Sequence, residues 1–179
     1  MSDASLFAAL EVLKQRVAPN NQLEVMHGGY VWTAGFEWYK SATESDASEL
    51  ENELGLVLPK DYRAFLLMCD GAVLYKDLRY GQWGFHLYSS LELPVKNHEW
   101  KQSLRGKWSD NLIAFAENQG ESNVLVFDTN RPTSDGLGYA VVEANPYDPP
   151  QDWTCASRSF HEWLEHLITA QGDKYWEWH

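Results

Sequence analysis

The sequence is short of cysteine and has no long apolar run. Its two cysteines, Cys69 and Cys155, lie far apart and have no CxxC partner, which excludes a disulfide scaffold. No window of about 18 apolar residues occurs, so the sequence predicts no helix that crosses a membrane. The first residues also lack the basic start of a secretion signal. We therefore expect a cytoplasmic protein.

Basic residues are scarce. The chain has 14 Lys and Arg against 26 Asp and Glu, which gives a net charge of −12. Nucleic-acid binding needs patches of positive charge, so this balance argues against it. An acidic surface keeps a protein in solution and also steers basic partners towards it.

The motifs of common enzymes and metal sites are missing. His161 and His166 are five positions apart, whereas a zinc-protease helix places its histidines at i and i+4. The sequence contains no GxSxG, no phosphate-binding P-loop and no dinucleotide-binding GxGxxG. Cys155 matches no cysteine-enzyme signature, and we expect it to be buried. The sequence therefore predicts no metal, no cofactor and a non-enzymatic protein.

Aromatic residues are abundant instead, with nine Trp and nine Tyr among 179 residues. Apolar residues make up 44% of the chain, which is enough for one domain with a substantial core. Large aromatic side chains fill cores and also anchor interfaces. We expect most of them in the core.

The first 44 residues predict a helix followed by an extended segment. The apolar stripe of the helix is Leu6, Leu10, Leu13 and Val17. Ser2 or Asp3 is expected to cap the helix, and Pro19 to end it. The aromatic segment 22–40 reads as extended, with a turn at Gly28-Gly29.

Two helices joined by a tight corner are predicted next. The first opens at Ser45 and ends at Gly55, a residue suited to the left-handed conformation after a helix. The second carries Pro59 in its first turn, where a missing N–H costs little. Gly71 is expected to close the second helix in the same left-handed conformation.

The rest of the chain alternates mainly between strands and turns. Strands are predicted at 72–75, 83–89, 112–117, 123–129 and 137–144, with a hairpin turn at Asn118–Gly120. Residues 91–100 are expected to be helical or irregular, and Ser157 or Ser159 to cap a last helix. The fold class is therefore α+β, a single domain with a mainly antiparallel central sheet flanked by helices. We divide it into residues 1–44, packed on a main domain of 45–170, and a C-terminal tail, 171–179.

The corner between the two helices carries a resemblance to a known family. Five short stretches carry it: Glu51 to Leu54, Leu58-Pro59, Asp61-Tyr62, Phe65-Leu66 and Asp70-Gly71. Together they resemble the signature of the SUKH superfamily, which is named after the fungal Smi/Knr cell-wall regulators. Phe85–Tyr88, Leu91–Leu93 and the strands near 112–128 agree with the family in order, so the resemblance spans roughly 45–168. Asp70 stands where asparagine is usual, and the segment 22–40 is not part of the signature.

The resemblance implies a protein-binding module. Many bacterial members are similar to immunity proteins, which bind and neutralise a cognate polymorphic toxin, often a basic nuclease. The alternative is a regulatory or scaffolding protein of the Smi/Knr type. In either case the expected partner is a protein, not nucleic acid or a membrane, and the chain is expected to be a monomer or a weak dimer.

The family's variable surface is usually a cleft beside the sheet, and we expect exposed aromatic and acidic residues there to bind the partner. The candidates are Asp77, Trp83, Trp100, Trp108, Asp135, Asp148 and Asp152. The signature residues are expected to be structural instead: Glu51, Leu54, Gly55, Leu58, Pro59, Tyr62, Phe65 and Gly71.

Overall fold

The computed structural model describes residues 7–27 and 29–178. The predicted cap residues Ser2 and Asp3, with Leu6 and Gly28, lie outside these ranges. The helices are α1 (Ala8–Val17), α2 (Glu44–Leu54), α3 (Lys60–Met68), α4 (Glu92–Ser103) and α5 (Phe160–Thr169), with short 3-10 helices at Pro150–Asp152 and Tyr175–Glu177.

One eight-stranded sheet organises the chain. Its strands are β1 (Gln22–His27), β2 (Tyr30–Trp38), β3 (Ala72–Asp77), β4 (Phe85–Leu87), β5 (Leu112–Asn118), β6 (Val124–Pro132), β7 (Tyr139–Ala144) and β8 (Thr154–Ser157). Every neighbouring pair is antiparallel, and the spatial order follows the chain order. The predicted α+β class with an antiparallel sheet is confirmed. The aromatic segment predicted as extended forms β1 and β2, so it belongs to the same sheet as the signature region.

Local hydrogen bonds set the start of α2. The Thr43 hydroxyl accepts from the backbone N–H of Asp46 at 3.1 Å, and the Asp46 carboxylate accepts from the backbone N–H of Thr43 at 2.7 Å. This reciprocal capping box places the helix start at Glu44, one residue before the predicted Ser45. Gly55 ends the helix with φ +68°, in the left-handed conformation that the sequence predicted.

The second helix is one residue shorter at its start than predicted. Pro59 precedes it with extended backbone, and α3 begins at Lys60. The helix ends at Met68 because Cys69 is already extended, so Gly71 does not close it. Gly71 still has a positive φ, +93°, but it lies beside Leu87 and Ser89. A Cβ there would lie 2.9 Å from the Leu87 carbonyl oxygen and from the Ser89 nitrogen, so a close approach of backbones requires glycine.

One strand, β8, was not predicted from the sequence, and the burial of one cysteine was predicted wrongly. β8 pairs with β7 at the edge of the sheet, after the proline-rich loop. Only its last residues, Ala156 and Ser157, are buried. Cys155 is exposed, so the prediction that it is buried was wrong. Four residues with a half-exposed pattern give too little periodicity to be recognised as a strand.

The core lies between the sheet and the helices α1, α3 and α5. Tyr62 of α3 is fully buried, and its ring lies against Phe115, Phe127 and Phe160, with centroids 5.0 to 5.7 Å apart. Its hydroxyl donates to the Tyr88 carbonyl at 3.1 Å. This one side chain therefore joins a helix of the signature to the sheet and to the last helix.

Replacing Gly71 by alanine should test the close approach. We expect Gly71→Ala to lower the free energy of unfolding by about 3 kcal/mol, since it adds backbone overlap to a left-handed φ. Gly55→Ala is the matched control, because its φ is also positive but its Cβ would meet no atom within 4 Å. That control should cost about 1 kcal/mol in urea denaturation. Equal losses for the two variants would show that the approach of the Leu87 and Ser89 backbone is not limiting.

Candidate protein-binding groove

The seven predicted binding residues do not form one site. Asp77 and Trp83 line the same groove at one end of the sheet. Trp100 lies elsewhere, half-buried, and donates its indole N–H to the Tyr88 hydroxyl at 2.9 Å. Trp108 is also half-buried and packs against the core.

The other three acids lie in separate exposed turns. Asp135 accepts from the Thr133 hydroxyl at 2.6 Å and from the Leu137 N–H at 3.0 Å, so it orders the turn before β7. These bonds lower the pKa of its carboxyl. Asp148 and Asp152 belong to the loop before β8 and are exposed. The structure therefore brings together two of the seven.

The groove shared by Asp77 and Trp83, called here the tip groove, has a volume of about 400 Å³. Its walls come from the start of β2, the β3–β4 connection and the segment after α5. The lining residues are Tyr30, Val31, Trp32, Asp77, Arg79, Tyr80, Trp83, Gln171, Gly172 and Asp173. This size falls in the range of ligand pockets and suits one or two side chains of a partner.

The groove exists because β2 is longer than β3. Pairing between the two strands starts at Ala34 and Asp77. Tyr30 to Trp32 pair with β1 alone, and the Thr33 carbonyl accepts one long bond, from the Leu78 N–H at 3.5 Å. The β1–β2 hairpin therefore extends past the end of β3. Opposite this overhang the chain turns at Asp77, whose Oδ1 accepts from the N–H groups of Arg79 and Tyr80 at 2.8 and 3.2 Å.

Trp83 and Gly172 form the floor of the groove. The indole N–H of Trp83 donates to the Gly172 carbonyl at 3.0 Å. Gly172 has φ +86°, and a Cβ on it would overlap the Tyr75 ring. Glycine is thus required where the C-terminal segment crosses the sheet. Trp83 therefore stabilises the position of the C-terminal segment through Gly172 and also lines the groove.

Two exposed tyrosines of the groove were missed by the sequence reasoning. Tyr30 is 78% exposed and Tyr80 is 67% exposed, and Val31 beside them is 66% exposed. Large apolar side chains left this open in one place indicate a contact surface. For Tyr30 the signal in the sequence was the aromatic segment 22–40, whose role the sequence left open. Tyr80 lies outside that segment, in the connection between β3 and β4, and had no comparable signal.

A buried lysine holds the C-terminal segment beside the groove. Lys174 is almost fully buried, and its Nζ pairs with Glu121, with Glu143 at 2.6 Å and with Glu177 at 3.3 Å. Burial alone would lower the pKa of Lys174, but its bonds to Glu121 and Glu143 outweigh burial and raise it. The indole of Trp176 donates to Glu143 at 3.0 Å. The segment 171–178 is therefore fixed to the sheet.

A second polar cluster lies around His86 on β4. Its ring nitrogens lie 3.2 Å from a Glu92 oxygen and 3.6 Å from a Glu117 oxygen. The hydrogen bond that the His86 ring donates to Glu117 is the largest influence, and together with Glu92 it raises the pKa of His86. The same contact, helped by a 2.8 Å bond from the Tyr88 hydroxyl, lowers the pKa of Glu117 to about 2.

This cluster is suited to stability more than to proton transfer. The two carboxylates favour the charged form of the imidazole, in which the ring has no lone pair to act as a base. Across residues 7–27 and 29–178, no three His, Cys, Asp or Glu side chains are grouped so as to hold a metal ion. In the same ranges no helix is long and apolar enough to cross a membrane.

The contacts of His86 with Glu92 and Glu117 should make the stability of the fold depend on pH. The folded-state pKa is raised above the unfolded value of about 6.5, so the stabilisation is complete below that pH and is lost as pH rises through the folded pKa. Urea denaturation from pH 5 to pH 9 should show this loss, and His86→Gln should flatten it. His98→Gln, on the exposed side of α4, is the control and should keep the wild-type slope. An unchanged slope in His86→Gln would contradict the assignment.

Removing the buried lysine should destabilise the protein strongly. Lys174→Met keeps the apolar stem but leaves Glu143 buried without its cation, at a cost of about 3 kcal/mol. Lys101 pairs with Asp110 at 2.8 Å on the open surface, so Lys101→Met is the matched control and should change little. Thermal denaturation of both variants measures the difference. Similar melting midpoints for the two variants would show that the buried Lys174 cluster stabilises the fold no more than the exposed Lys101–Asp110 pair does.

Comparison with known proteins identifies the relatives of this chain. The SMI1 / KNR4 family (SUKH-1) matches residues 41–166. The uncharacterized protein YnaB of Bacillus subtilis (strain 168) is 27% identical over 144 residues, which cover 80% of this chain and 88% of YnaB. The uncharacterized protein YobM of the same organism is 25% identical over 151 residues, 76% of this chain and 71% of YobM. Because the family match covers well over half of the sequence, the chain belongs to the SMI1 / KNR4 (SUKH-1) family.

Proposed function

We propose that this protein is a non-enzymatic immunity protein that binds one cognate toxin domain of basic charge and neutralises it. The observation that carries the proposal is the tip groove, an open aromatic surface on an acidic member of a family associated with protein binding. Tyr30, Val31 and Tyr80 leave their apolar surface in water, which is unfavourable unless a partner covers it. Aromatic residues are also the ones that dominate binding energy at interfaces.

The net charge supports a basic partner. A surplus of 12 negative charges gives a long-range field that accelerates the approach of a positively charged protein. That field is screened within about 10 Å at 0.1 M salt, so association should weaken as salt rises. Charge alone does not give specificity, and the groove supplies a shape that an unrelated basic protein would not match.

The family also fits a regulatory or scaffolding role, and the two functions predict different partners. An immunity protein has one partner whose toxicity it abolishes. A scaffold has several partners of moderate affinity, and none of them is a toxin that it neutralises.

The test is neutralisation in a growing cell. Affinity capture from the native host at low and moderate salt gives candidate partners, and the C-terminal domain of each secreted candidate is then expressed in a test bacterium. We expect one domain to stop growth and co-expression of this protein to restore it. In vitro, the association rate should fall at least tenfold between about 50 and 500 mM salt.

The control is an unrelated protein of similar size and net charge. It should neither restore growth nor bind stoichiometrically, since its charge attracts the toxin without a matching surface. Restoration by that control would show non-specific electrostatic binding. Capture of several cytosolic proteins, with no toxic domain among them, would overturn the immunity proposal in favour of the regulatory one.

A further inference from the structure

We propose that the tip groove is a receptor for one cationic side chain, an arginine or a lysine on an exposed loop of the partner, held between tyrosine and tryptophan rings and paired with Asp77. This proposal rests on the proposed function, because it names the part of the toxin that the groove takes. It differs from general charge steering, since it assigns one side chain to one site.

The rings of the groove are of the kind that binds cations. Tyr30, Trp32, Tyr80 and Trp83 are the four aromatic residues in its lining. A guanidinium or ammonium group placed over the face of such a ring is attracted by the negative charge of the π system, most strongly by Trp. The groove already contains one such contact, because the Arg79 guanidinium lies 5.0 Å from the centre of the Tyr80 ring. Since the protein's own cation lies on Tyr80, the rings of Tyr30, Trp32 and Trp83 are the ones proposed to receive the partner's cation.

Asp77 adds a fixed carboxylate. Its Oδ1 is occupied by the backbone N–H groups of Arg79 and Tyr80, which hold the side chain in one orientation. Within residues 7–27 and 29–178, its Oδ2 takes part in no hydrogen bond or ion pair. A carboxylate held in place with one oxygen open can accept a charge-assisted hydrogen bond without losing further side-chain freedom.

The charges of the lining favour a cation over an anion. Asp77 and Asp173 are the acidic residues of the lining, and Arg79 is its one basic residue. The Asp173 carboxylate already accepts from the Lys174 N–H at 2.8 Å and from the Trp178 indole at 3.1 Å, so Asp77 alone carries the argument for a cation. The excess is small at the groove itself, but the net charge of −12 acts in the same direction and raises the cost of bringing in a phosphate or a carboxylate. A purely apolar occupant would leave Oδ2 of Asp77 desolvated without a partner.

The shape of the groove favours a side chain on a protein loop over a free small molecule. Its rim is formed by the exposed Tyr30 and Tyr80, which a ligand confined to the interior would leave in water. A partner loop would cover these rings with its flanking residues while one long side chain reaches the floor at Trp83. About 400 Å³ is enough for an arginine side chain and part of a neighbour.

The experiment compares two peptides that differ by one charge. The probe is the blocked pentapeptide Gly-Leu-Arg-Leu-Gly, and its partner carries citrulline, the uncharged isostere of arginine, at the centre. Binding to the full-length protein is followed by NMR through the indole N–H signals of its tryptophans. We expect the arginine peptide to bind in the millimolar range or tighter, to move the Trp32 and Trp83 signals, and to bind at least tenfold more tightly than the citrulline peptide.

Asp77→Asn and Tyr30→Ser locate the site. The amide oxygen of Asn can still accept from the Arg79 and Tyr80 N–H groups, so the turn is kept while the charge is lost. Tyr30 is mostly exposed, so its removal should leave folding intact. Each variant should weaken the arginine peptide at least fivefold. Asp152→Asn and Tyr147→Ser, exposed residues outside the groove, are the matched controls and should bind as the wild type does.

Four results would overturn the proposal, three with the isolated protein and one in the growth assay. The first is equal binding of the arginine and citrulline peptides, and the second is equal loss in Asp77→Asn and Asp152→Asn. The third is a concentration-dependent dimer in sedimentation that Tyr30→Ser abolishes, because a second copy of this chain would then be the occupant. Growth rescue that persists in Asp77→Asn and Tyr30→Ser refutes the groove while the immunity function stands. If the arginine peptide binds but the capture experiment yields no toxic domain, the immunity function is refuted and the proposed chemistry of the groove stands.

Discussion

The burial of Tyr62 is the constraint on which the rest of this structure depends. Its ring fills the space between α3, the central strands and α5, and its hydroxyl needs the Tyr88 carbonyl because no water reaches it. Burial also raises the pKa of the phenol far above its usual value, so the group stays neutral. The neighbouring Asp61 is also buried and accepts from the backbone N–H of His161 at 3.1 Å, which fixes the start of α5. The Asp-Tyr pair of the family signature thus joins one helix to the sheet and to another helix.

Much of the fold could be predicted because its determinants are local. The helix end at Gly55, the break at Pro59, the apolar stripes of α3 and α5 and the hairpin before β6 are all properties of a few consecutive residues. The failures are non-local. Gly71 needs its conformation because the backbone of Leu87 and Ser89 approaches it, which no neighbouring residue reveals. Cys155 and β8 depend on an edge position that only the assembled sheet defines.

The candidate site was predicted only in part for the same reason. Asp77 and Trp83 were selected as an acid and an aromatic residue near a turn, and these two lie together. Tyr30 and Tyr80 complete the groove, but they are 50 residues apart and meet only because β2 extends past the end of β3. Trp100 and Trp108, selected by the same rule, also pack against the core, as Trp83 does, but they do not line the groove. Residue type alone does not separate an aromatic side chain that fills a core from one that waits for a partner.

The position of the groove separates binding from folding. Tyr30 and Val31 are mostly exposed and pair with β1 only, so their side chains can change with little effect on the pairing of β3 to β8. The floor, in contrast, is held by the Trp83 contact to Gly172 and by the buried Lys174, which is next but one in the chain. A rigid floor lowers the entropy lost when a partner binds, and a free-standing rim can vary in sequence. At the proposed binding site, the exposed side chains that would contact a partner are therefore not the side chains that hold the core.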